Sequence, residues 1–195
     1  MLLNQLRSAA ISRGWGTGKI EARPEQSLRR PVSSALHMAL RELGPRHRDQ
    51  ESMEEVLGVV KAFAQRGSVG SDGTAAKVRD RWQPGIDVPA ATGRADSGDM
   101  EIDLVELLSD AAGVAADIGS GIALFIDEMQ DVQSDDVSAI CAACHELSQQ
   151  GAPLIVVGAG LPTCPPSCPP RRATRSACSA TCGSTGWSAR PPTAR

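Results

Sequence analysis

Apolar residues recur at helical spacing in five stretches of the chain and run unbroken in two more. Over 2–13, Leu2, Leu6, Ala9 and Arg13 lie along one side, with Leu3 and Ala10 adjacent, and Gly14 closes the segment. A short strand entered by a turn is expected over Thr17–Ala22. Pro31 opens a second helix, with Val32, Leu36, Ala39, Leu40 and Leu43 inward and Gly44-Pro45 as its stop. A third helix spans about Gln50–Arg66, with Met53, Val56, Leu57, Val60 and Ala64 on one face. In the fourth, Asp99, Glu101 and Asp103 favour the N-terminal dipole, and Leu104, Leu107, Leu108, Ala111, Ala115 and Ile118 form the apolar stripe.

The best-defined pattern follows. Ile122–Ile126 is unbroken apolar sequence, preceded by Gly119-Ser120-Gly121 and running into Asp127 and Glu128. A run this short reads as a buried strand of a parallel sheet. Ser134-Asp135-Asp136 then starts a fifth helix, with the serine hydroxyl as cap. Val137, Ile140, Cys141 and Cys144 recur along it, and Gln149-Gln150-Gly151 ends it. Leu154–Val157 is a second buried strand, closed by Gly158-Ala159-Gly160. Strand, helix, strand is the crossover unit of an open α/β sheet.

Parallel sheets carry their chemistry at the carboxyl ends of the strands. Two adjacent acids there are costly unless a cation needs them. The usual need is Mg2+ with a bound phosphate, one acid holding the ion and the next preparing a water. The bland alternative is a strand ending in a solvated acidic turn.

GIALFIDEMQD, a helix, and then PLIVVGAGLP resemble the AAA+ ATPases, and within them the origin-recognition-like branch of bacterial ATP-binding proteins. The resemblance spans about residues 1–162 and is most specific over 121–162. It implies an α/β, three-layer P-loop NTPase core that binds and hydrolyses ATP with Mg2+ and acts on DNA or a partner protein. Asp127 would hold Mg2+ through water, and Glu128 would polarise the attacking water. LLNQLR matches the family segment just after the phosphate-binding loop, so that loop and its strand are expected upstream of Met1. Gly16-Thr17-Gly18-Lys19 only mimics it: Arg13 stands where the motif needs Gly, and Ile20 where it needs Ser or Thr. The family's sheet order would leave the Leu154–Val157 strand with an open apolar edge, and association of the chain is expected. A polar sensor side chain is common after this strand, but Gly158-Ala159-Gly160 offers none. On this reading the chain alone is an inactive fragment.

Composition changes the picture at one end. The 195 residues carry a net charge of −3 and are 41% hydrophobic but only 3% aromatic. Residues 163–195 hold five Arg and no acid or Lys, a charge of +5, which leaves −8 on 1–162. An acidic body is no argument for a nucleic-acid surface, and it leaves room for a local basic patch. Residues 163–195 contain no Leu, Ile, Val, Phe or Met, but four of the six Cys. Such a tail is expected to be disordered, and a shifted reading frame after about residue 162 accounts for its composition. Residues 67–98 read as a mobile insertion with a short strand near Gly85–Val88. Neither a secretory signal nor a membrane-length apolar run is visible, which points to the cytoplasm.

Two other readings stay open: a non-catalytic interaction module on an NTPase scaffold, and a small zinc- or haem-binding protein. Cys141-Ala-Ala-Cys144-His145 matches the haem-attachment string, with two inward core cysteines as the plainer reading. Cys164/Cys168 and Cys178/Cys182 have loose zinc spacing. His37 and His47 read as surface residues.

Overall fold

In a computed structural model of the chain, the described residues are 2–46, 49–66 and 87–161. They form an α/β fold with a three-stranded parallel sheet. The order along the chain is α1 (Leu2–Ser12), β1 (Gly16–Glu21), α2 (Arg29–Leu43), α3 (Gln50–Arg66), α4 (Met100–Asp117), β2 (Ile122–Asp127), α5 (Ser134–Gln150) and β3 (Leu154–Gly158). In space the strands lie β1-β2-β3. Gly16 pairs with Ile122 and Glu21 with Asp127; Ile122 pairs with Leu154 and Ile126 with Gly158.

The period-2 alternation of β2 divides the core. Ile122, Leu124 and Ile126 point into the larger cluster, built with α2, α3, α4 and α5. Ala123 and Phe125 point the other way and pack with Leu3 and Ala10 of α1, beside Trp15 and Val157. β1 lies so close under α2 that side chains are excluded there. A Cβ on Gly18 would sit 2.6 Å from the Ala35 carbonyl oxygen, and one on Gly16 would sit 2.5 Å from that of Ala39.

The helices begin for different reasons. Asp99, expected only as an acid favourable to the dipole, caps α4, its carboxylate accepting the N–H groups of Glu101 and Ile102. α2 is started from far away in sequence. Buried Asp136 of α5 accepts the Leu28 N–H at 2.8 Å, and Leu28 in turn accepts the first bond of the helix from Val32. Asp103 is fully buried and takes four hydrogen bonds: from the Ser97 N–H and O–H, the Gly98 N–H and the Arg29 guanidinium. Arg29 also stacks over the Phe63 ring at 4.8 Å, so one buried ion pair joins α2, α3, α4 and the 97–98 turn. Burial pushes the Asp103 carboxyl up, but the bonds from Ser97 and Arg29 outweigh it, and its pKa lies below the usual value.

Several expectations are corrected. The buried stripe of α1 is Leu3 and Ala10; Leu2 and Leu6 are exposed. Ser134 does not cap α5: Gln133 is the cap residue, without a side-chain bond, and the serine hydroxyl turns to Asp135. Cys141 is exposed and Cys144 half-buried, because α5 buries the neighbouring stripe of Asp136, Ala139, Ile140, Ala143 and Leu147. His37 is half-buried, and burial together with Arg41 lowers its pKa. Asp87 and Val88 are not in a strand, and residues 85 and 86 lie outside the described residues. The part of the 67–98 segment that is described, 87–98, is tied down rather than loose. Lys61 donates to the Val88 carbonyl, Ala91 N–H to Gly58, and Ala95 N–H to Glu106, while Arg94 pairs with Asp110. His47, residues 67–86 and the tail 163–195 with its four Cys lie outside the described residues.

Candidate functional site

Asp127 is the last residue of β2, and Glu128 follows it directly. Alternation puts the Asp127 side chain on the α1 face of the sheet, with Ala123 and Phe125. Its backbone is fixed because its carbonyl accepts the Ala22 N–H just past β1. Its carboxylate faces Lys19 of β1 at 3.7 Å, and both side chains are 39% exposed. This places an ammonium beside the acid at the carboxyl edge of the sheet. The sequence reading set Lys19 aside as part of a mimic; the β1–β2 register, with Lys19 opposite Phe125, is what brings it here.

Glu128 is exposed and sits at φ 56°, ψ 44°, the left-handed region. A non-glycine residue there costs roughly 1–2 kcal/mol, and such strain gathers at functional turns. Three bonds hold it. The Met129 N–H donates to Ala159, the Ala159 N–H donates back to Ile126, and Asp131 N–H closes a 3-10 turn on the Glu128 carbonyl. The Gln130 amide donates to the Glu128 carboxylate at 2.6 Å, and its oxygen accepts the Leu161 N–H at 2.8 Å. The strand ends of β2 and β3 are thus stitched together around the two acids.

That stitching explains the glycines at the end of β3 and just beyond it. A Cβ on Gly158 would lie 2.8 Å from Met129 Cγ, and one on Gly160 would lie 2.8 Å from the Gln130 side-chain oxygen. Bulk is excluded at both, so no sensor side chain projects from 158 or 160. Gln130 is the polar side chain that reaches across instead, and sequence reasoning missed it.

Mg2+ retains several waters and takes one or two carboxylates together with phosphate oxygens. Asp127 fits that demand, with an accessible carboxylate at a fixed strand end. No group of three or more His, Cys, Asp or Glu among the described residues is arranged to hold a metal by itself. The acids therefore fit Mg2+ only in company with phosphate. The sequence contains no G-x-x-x-x-G-K-[ST] to supply a phosphate cradle. Among the described residues no helix is long and apolar enough to cross a membrane. On α5, burial and the neighbouring Cys141 raise the Cys144 thiol pKa, which disfavours the thiolate that metal or haem chemistry needs.

Comparison of the chain with family models, curated proteins and solved structures finds no match in any of the three.

Proposed function

We propose that residues 1–162 are a partial AAA+ type ATPase core, a P-loop NTPase scaffold carrying the acidic half of a Mg·ATP site. Asp127 would hold the Mg2+ through water, and Glu128 would orient the water that attacks the γ-phosphate. Mg2+ would supply charge neutralisation on the phosphates when bound. One observation carries this reading: a non-glycine residue, Glu128, is kept left-handed by bonds from both neighbouring segments, directly after a parallel strand that ends in Asp127. Lys19 lies 3.7 Å from the Asp127 carboxylate, where a divalent cation would compete with it. The setting is cytoplasmic, and the partner of the ATPase is DNA or another protein.

The phosphate cradle must come from outside these 195 residues. The chain by itself is expected to bind ATP weakly and to hydrolyse none above background. Joined to an upstream strand and phosphate-binding loop, it should gain Mg2+-dependent ATP binding and turnover. There Glu128→Gln should keep binding and lose turnover, and Asp127→Ala should weaken Mg2+-dependent binding itself. Hydrolysis by the unextended chain that Glu128→Gln abolishes would overturn the fragment reading. The missing cradle also favours a second reading, a nucleotide-independent interaction module; the extended protein would then bind no ATP.

A further inference from the structure

Charge is divided unevenly along the chain. Residues 1–46 hold eight Arg or Lys and three Glu, a charge of +5. Taken from the −8 on 1–162, that leaves −13 on 47–162. The basic part is α1, β1 and α2, at the β1 side of the sheet. Two of its cations are matched by acids: Arg29 inside with Asp103, and Lys19 at the carboxyl end of the strands with Asp127. Four arginines gather instead around the opposite, amino end of β1.

Arg7 of α1 gives its Nε to the Thr17 hydroxyl at 3.2 Å, and Arg46, just past α2, gives one Nη to the Gly14 carbonyl at 2.7 Å. Arg13 adjoins Gly14 and bonds only to the Ala9 carbonyl, and Arg41 lies on the outside of α2. Arg13, Arg41 and Arg46 are exposed. None of the four makes an ion pair among the described residues. The acid beside them, Glu42, is engaged: its carboxylate accepts the Thr17 N–H at 2.8 Å and the Thr17 hydroxyl at 3.1 Å. That bond also stops a further strand from pairing at Thr17, so this edge meets a ligand through side chains. Two guanidiniums are thus anchored by a single nitrogen each, with their remaining N–H groups left for an anion.

We propose that this arginine face docks on the phosphate backbone of duplex DNA. Arginine forks match phosphate oxygens in geometry as well as charge. The anchor points Gly14 and Thr17 are on the order of 10 Å apart along the strand, a length over which a duplex carries about six charges. The first two turns of α3, by comparison, offer a second copy of the chain only Glu51, Glu54 and Glu55. Single strands are bound by stacking their bases on aromatic rings. Trp15 is the one Phe, Tyr or Trp in residues 1–46, and it packs beside Ala123 and Phe125 instead. Contact is therefore with the backbone and independent of base sequence. The acidic remainder of the chain repels DNA, which confines docking to this face. Because it lies at the amino end of the strands, the face leaves Asp127 and Glu128 uncovered.

Fluorescence anisotropy of a short labelled DNA duplex with the full chain, in the absence of nucleotide, tests this. It can fail while the ATP reading stands, and the reverse. A second full-length version, with the five arginines of 163–195 changed to glutamine, removes their charge from the measurement. Both versions should bind at low salt. In the second, log K against log salt concentration should fall with a slope of roughly −3 to −4, for four phosphates. Arg13→Gln and Arg41→Gln should each make that slope shallower by about 1 without changing the melting temperature, and Arg13→Lys should leave it as it is. No binding by the second version, or slopes that neither glutamine variant moves, overturns the proposal. Tighter binding of single-stranded DNA or of RNA than of the duplex overturns it as well. Salt-dependent association of the chain with itself that Arg13→Gln abolishes, with no DNA bound, would give the face to a second copy instead.

Discussion

Replacing Asp103 by asparagine removes one charge from a site buried away from solvent. Asp103 is 0% exposed and Arg29 is 7% exposed, and their ion pair is 2.8 Å long. Asparagine keeps the shape but offers one acceptor oxygen to four arriving donors, and its own NH2 then faces others. Breaking one side of a buried pair costs about 3–5 kcal/mol, because the other charge stays buried without its partner. The asparagine oxygen keeps part of the bonding, so the lower end of that range is expected. A loss of about 3 kcal/mol moves a urea midpoint down by roughly 1–3 M. Far-UV circular dichroism against urea would measure it. Because the folded pKa of Asp103 lies below its ordinary value, its contribution is complete above about pH 4 and is lost as pH falls through the folded pKa. The wild-type chain should therefore lose stability on acidification more steeply than Asp103→Asn. Arg29→Met together with Asp103→Leu should recover much of the loss, since no charge is left stranded. A midpoint for Asp103→Asn within scatter of the wild type would refute the picture of a buried, fully engaged pair.

Other perturbations test separate joints. Asp136→Ala strands the buried Leu28 N–H and should cost about 1–3 kcal/mol in urea denaturation. Gly18→Ala forces a Cβ into the Ala35 carbonyl and should cost about 1–3 kcal/mol by overpacking β1 under α2, read in the same titration. Glu128→Gly should raise stability by about 1 kcal/mol through relief of its left-handed backbone, whereas Glu128→Ala should not. Thermal melts of the two Glu128 variants side by side check this last expectation.

The readable parts of the sequence were those set by local pattern. The run Ile122–Ile126 and the stop at Gly151 gave β2 and α5 nearly to the residue, because apolar runs and left-handed caps are local devices. The stripe of α5 was misread because Ala139, Ala143, Cys141 and Cys144 are all small, and size gives no clue to which side faces inward. Long-range polar links left no trace at all. Leu28 to Asp136 spans 108 residues and Arg29 to Asp103 spans 74. Asp103 and Asp136 were legible only as acids favourable to a helix start, and Lys19 only as a failed motif. At the candidate site the acids were readable from their place after an apolar strand. The left-handed Glu128 and the Gln130 bridge were not, since both depend on β3 lying alongside.

The pairing of Gly16 with Ile122 also sets a clock. The two positions are 106 residues apart, and at about 5–20 residues per second a ribosome takes roughly 5–20 s to make the intervening chain. Throughout that interval β1 exists without the strand it was shaped to meet. Its outer side can be covered early, because Glu42 arrives with α2. Its inner side cannot be covered before β2 emerges. The first fifty residues must therefore wait half-assembled during synthesis, and whatever shields a nascent strand in the cell is needed most at that inner side.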